Sequence, residues 1–164
     1  MAFLYEITPN KNILIMRKID YLVVHCSATK PRIRVTVDDI DRWHKERGFR
    51  KIGYRYVIYP DGTIHNGRDI TEAGAHVAGN NSNSIGICYI GGLDINGKIS
   101  DTRTAAQKSS MLALLQQLKE KFPNALICGH RDFSPDRNGN GIIEEWEWTK
   151  ECPCFDASSE YGNI

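Results

Sequence analysis

The sequence predicts an α/β fold, a single domain whose central mixed β-sheet is flanked by helices. Strand-like and helix-like segments alternate along the chain, which favours a sheet covered by helices. Two of the strand signals are joined by a short Pro-Asp-Gly turn, which adds an antiparallel hairpin. A length of 164 residues is enough for one sizeable core and too little to expect two. The domain is expected over 19–164, behind an N-terminal extension at 1–18 to which no function is assigned.

Each element has a local reason. IDYLVVH (19–25) is β-rich and ends in a polar residue, so it predicts a buried strand with His25 at its tip. Thr36 can cap VDDIDRWHKERG, whose acidic start, basic end and terminal Gly48 predict a helix of about three turns. GYRYVIY, PDG and TIHNG form the hairpin. SIGICYIGG (84–92) predicts another buried strand. TAAQ (104–107) is a capping-box pattern. Met111, Leu114, Leu115, Leu118 and Phe122 then recur at helical spacing, giving one amphipathic helix up to Pro123. ALICGH (125–130) predicts the last strand, again with a histidine, His130, at its end.

Composition excludes several classes. The net charge of +1 leaves no electrostatic footprint for a nucleic-acid backbone or an anionic membrane. No apolar run approaches the roughly 18 residues of a membrane span, and the N-terminus lacks the plan of a signal peptide. The expectation is cytoplasmic synthesis without a signal peptide, as a monomer. The five cysteines, at 26, 88, 128, 152 and 154, are odd in number and scattered, which argues against a disulfide framework.

Two strand-end histidines suggest a metal. A sheet presents ligands at such ends while holding their backbones rigid, and two imidazoles with a thiolate and an open fourth position suit catalytic zinc. The residues alone leave the thiolate open. Cys26 points away from His25 in an extended chain and reads as core, as does the mid-strand Cys88. Cys128 shares a face with His130. Cys152 precedes Pro153, which restricts its backbone. Cys154 and Lys150 would lie on the same side as Cys152. His44 and His65 read as surface or packing residues.

VVHCSATK, GYRYVIYPDGTIHNGRD, GAHVAGNNSNSIGICYIGG, GHRD and KECPCFD, in that order, resemble the zinc-dependent N-acetylmuramoyl-L-alanine amidases of the phage-lysozyme and peptidoglycan-recognition-protein type. The resemblance covers about residues 19–156. It implies zinc held by His25, His130 and Cys152, with Cys154 in a place where the family often has a small residue. It implies catalytic roles for Tyr54 and Lys150, and a place for His76 along the substrate groove. The reaction implied is hydrolysis of the amide between the lactyl group of N-acetylmuramic acid and L-alanine in peptidoglycan, on the cell wall after release or export. The alternative within the same fold is a module that binds muropeptides without cutting them.

One segment departs from that pattern. Between GHRD and KEC lies SPDRNGNGIIEEWEWT, in which residues 136–147 reproduce the spacing of an EF-hand calcium loop. Asp136, Asn138, Asn140, the Ile142 carbonyl, Glu144 and Glu147 fall at its ligand positions and Gly141 at its turn. A calcium-ordered insertion is therefore expected beside an equally simple alternative, an Asn/Gly turn leading into a short acidic helix.

Overall fold

The computed structural model describes residues 17–164. The remainder of the 1–18 extension lies outside the described residues. Five strands form one sheet in the order β3-β2-β4-β1-β5. They are β1 (Tyr21–Cys26), β2 (Tyr56–Ile58), β3 (Ile64–Asn66), β4 (Ser84–Tyr89) and β5 (Leu126–Gly129). β1 lies parallel to both β4 and β5, β2 lies parallel to β4, and β3 runs antiparallel to β2. The expected mixed sheet is therefore present, with its hairpin at one edge and β1 inside it. The hairpin turn is closed by Gly62, whose φ of +85° suits a residue without a Cβ.

Side-chain alternation sorts the strands between two faces. Leu22, Val24, Ile85, Ile87, Tyr56 and Ile58 pack on one face against Met111, Leu114, Leu115 and Leu118. These four residues belong to helix α2 (Ala105–Lys121), which starts at a Thr104/Gln107 capping box as its sequence predicts. The opposite face packs Val57 against Ile40 of helix α1 (Val37–Glu46), capped by Thr36 and Asp39. Val23, Val77 and Cys128 make a third, smaller cluster.

His25 shares the face of Val23, so one residue beyond the packed strand interior the sheet presents an imidazole instead of an apolar group. β5 ends at Gly129, and His130 opens a short 3₁₀ turn. Both histidines therefore sit at the carboxyl ends of neighbouring parallel strands, where open α/β sheets place their ligands.

A third helix, α3 (Ala157–Tyr161), has no counterpart in the sequence reading. Arg103 holds it: the guanidinium donates to Asp101, to Glu160 and to the Tyr161 hydroxyl and lies 3.2 Å from the Phe155 ring centroid. Among the described residues, no helix is long and apolar enough to cross a membrane.

Candidate metal centre

One group of possible metal ligands is found among the described residues: His25, His130 and Cys152, whose ligand atoms lie within 4.8 Å of one another. Two come from the carboxyl ends of adjacent strands, His25 within β1 and His130 just after β5, and the third from the C-terminal segment, 127 residues from His25. The separation of His25 Nδ1 from Cys152 Sγ is 3.7 Å. Zinc bonds of about 2.0 Å to nitrogen and 2.3 Å to sulfur at a tetrahedral angle put such atoms about 3.6 Å apart. The donor set fits zinc, and Cys152 is the one of the five cysteines grouped with the two histidines among the described residues.

The imidazoles are prepared to ligate. Burial pushes the His25 pKa well down, helped by His76 and His130, and burial followed by the charge of Lys150 pushes His130 to about 4. Both rings are therefore neutral at pH 7, the state a metal requires. The sulfur of Cys152 accepts a hydrogen bond from the Cys26 backbone N–H at 3.2 Å.

A hydrogen-bond chain fixes which nitrogen of His25 is free. Ser84 donates its hydroxyl proton to the Asn80 carbonyl at 2.6 Å. Its oxygen must then accept from His76 Nε2, 3.1 Å away. His76 Nδ1 is left as an acceptor for His25 Nε2–H at 2.8 Å, so His25 Nδ1 carries a lone pair toward Cys152. His76 was expected along the substrate groove. It is 9% exposed, with both ring nitrogens hydrogen-bonded to protein groups. A Cβ on Gly86 would meet its ring at 2.8 Å, so the imidazole lies directly on β4.

Tyr54 stands beside the group, its ring centroid 4.9 Å from that of His25. Burial, followed by the neighbouring thiols, pushes its pKa well above the ordinary value, so it is a protonated hydroxyl at neutral pH. Lys150 is exposed, and its charge reaches both His25 and His130. His44 is buried and accepts from the Gly53 N–H through Nδ1 at 2.8 Å, while His65 stacks on Tyr59 at 3.8 Å. Both are packing residues, as the sequence reading has them.

The 136–147 segment has a different arrangement from a ligand cage. Asp136 accepts from the amides of Gly139, Asn140 and Gly141, and the fully buried Glu147 accepts from those of Arg137, Asn138 and Glu144. Asn138 and Asn140 donate to Glu144, and Ile142 is exposed. The loop satisfies its own carboxylates with backbone amides and runs into a short 3₁₀ turn, Glu145–Glu147. Calcium is not supported by this geometry.

Comparison with known proteins decides the family. The model of the N-acetylmuramoyl-L-alanine amidase family matches residues 16–154. The chain belongs to that family. It is 41% identical to the endolysin of Escherichia phage T7 over 80% of this chain and 86% of the endolysin. Among solved structures, the N-acetylmuramoyl-L-alanine amidase LysC from Clostridium intestinale URNW is 27% identical, with a TM-score of 0.68 over 88% of this chain and 82% of that one. Drosophila PGRP-LB shares the fold, with a TM-score of 0.62 at 24% identity, over 84% of this chain and 75% of that one.

What sequence reasoning missed is the support around the ligands. Nothing in the residue types of Asn80 and Ser84 marks them as partners of His76. The signal present was their neighbourhood in GAHVAGNNSNS, which the family resemblance already singled out.

Proposed function

We infer that this chain hydrolyses the amide bond between N-acetylmuramic acid and L-alanine in peptidoglycan, as a zinc-dependent amidase of the phage endolysin type. The convergence of His25, His130 and Cys152 within one coordination sphere carries this reading, and membership of the family supplies its substrate class.

These three residues would hold zinc, which when bound supplies Lewis acidity and an activated water for attack on an amide carbonyl. Lys150 supplies a positive charge for the oxygen that becomes negative as the carbonyl is attacked. Tyr54, kept protonated by burial, donates a hydrogen bond to that oxygen or a proton to the leaving amine. His76 is a positioning residue that orients His25.

The test is the release of new L-alanine amino termini from purified cell wall. Cys152→Ala loses the activity and Cys154→Ala retains it; the reverse pattern would overturn the ligand assignment. Tyr54→Phe lowers kcat by roughly 10²–10³-fold, the scale of a lost oxyanion donor, with metal content unchanged. Binding of cell wall without release by the wild type would favour the muropeptide-binding module instead. The calcium reading of residues 136–147 rests on sequence spacing alone. Calorimetry on metal-stripped protein at millimolar calcium decides it, absence of heat removing calcium from the picture.

A further inference from the structure

Two sulfur atoms outside the ligand group face each other beside it. Cys26 Sγ and Cys154 Sγ are 3.6 Å apart, and neither belongs to the His25, His130 and Cys152 set. Cys26 is 6% exposed. It lies on the α2 face of β1, because alternation turns it away from His25. Cys154 is half-buried on the turn that follows Pro153, where its N–H donates to the Glu151 carbonyl at 2.7 Å. Gly92 closes the space: a Cβ there would meet Cys26 Sγ at 2.6 Å and Cys154 Sγ at 3.4 Å. The other thiols are placed differently. Cys152, whose thiol also neighbours that of Cys26, faces His25 Nδ1, Cys128 packs with Val23 and Val77, and Cys88 is fully buried, its thiol directed to the Tyr89 carbonyl.

We propose that Cys26 and Cys154 are a dithiol which a small-molecule disulfide converts into an intramolecular disulfide, tying the end of β1 to the segment that carries Cys152. The sulfurs need to close by about 1.6 Å to reach the S–S bond length of ~2.05 Å. Cys154 is the more accessible and is the sulfur an incoming disulfide reaches first, although its hydrogen bond with Cys26, followed by burial, holds its pKa above that of an ordinary thiol. Its thiolate attacks one sulfur of the incoming disulfide, forming a mixed disulfide and expelling one thiolate. The Cys26 thiolate then attacks the Cys154 sulfur and expels the second. Two protein thiols are oxidised, one small disulfide is reduced, and the two protons leave on the two expelled thiolates.

The bond has a structural consequence. It closes a covalent loop between positions 128 apart, and long loops constrain the unfolded chain most. It also adjoins two of the proposed ligands, since His25 directly precedes Cys26 and Cys152 lies two residues before Cys154. The cross-link is therefore set to hold the site's two halves together in an oxidising medium.

The experiment uses full-length protein purified with zinc, incubated with oxidised glutathione, then alkylated and digested without reduction. The expected results are a mass loss of two hydrogens, a cross-linked peptide pair containing Cys26 and Cys154, and a melting temperature higher by roughly 5–10 °C. Cys154→Ser should show none of the three and melt as the reduced wild type does. A bond that includes Cys152, a stable glutathione adduct on Cys154, or unchanged mass would each overturn the proposal. Should Cys154→Ser fold poorly, the peptide map of the wild type still decides which sulfurs are joined.

Discussion

A histidine ligates a cation only through a nitrogen that carries no proton, so in the proposed centre the tautomer of His25 matters as much as its position. The chain from the Asn80 carbonyl through Ser84 and His76 sets that tautomer from 2.8 Å away. His76→Phe keeps a ring on Gly86 and removes the acceptor for His25 Nε2–H. Zinc affinity, measured by competition with a chromophoric chelator, should fall about 10–100-fold, the scale of a lost outer partner. Ser84→Ala should move it the same way by less, and an unchanged affinity in His76→Phe would mean that burial alone orients His25. At this scale the sequence reading reached His25 and His130 because each ends a β-rich run. It reached Cys152 only through the family, since periodicity put Cys154 and Cys152 on one side. It could not reach Ser84, whose contact with His76 depends on how residues 76–84 fold back onto the start of β4.

The elements were legible where a local pattern specified them: the capping boxes of α1 and α2, the Asp-Gly turn, and the buried runs of β1, β4 and β5. α3 was not, because its five residues are too few for periodicity and it is secured by Arg103, which lies 57 residues from Glu160. The path of the C-terminal segment is likewise tertiary. Tyr89 donates to the Pro153 carbonyl at 2.7 Å, and a Cβ on Gly129 would meet Pro153 Cδ at 2.5 Å. β5 thus needs a glycine as its last residue so that the proline can pack on it and deliver Cys152 opposite His130. Gly129→Ala should push Pro153 away. The expected cost is about 1–3 kcal/mol in urea unfolding, typical of an overpacked core, together with weaker zinc binding. Stability and affinity both equal to wild type would show that the segment is positioned from elsewhere.

Across the molecule, the architecture gathers neutral imidazoles into its interior, and this makes acid its weakness. His44 allows the effect to be read on an imidazole outside the proposed ligand set. Burial, then the charges of Arg47 and Arg68, pushes its pKa down to about 4 from 6.5, with Asp41 opposing. Between those two values the unfolded chain holds a proton on this imidazole that the folded protein does not. Stability from this group is therefore complete above about pH 6.5 and drains away as pH falls toward 4. His44→Asn preserves an acceptor for the Gly53 N–H, which Nδ1 engages in the wild type, and cannot titrate. In urea melts from pH 7 to 4.5, the midpoint of the wild type should fall more steeply than that of the variant, the two curves drawing together toward the acid end. Parallel curves over that range would mean that His44 titrates alike in the folded and unfolded chains, and that the acid sensitivity of the fold has its source in other groups.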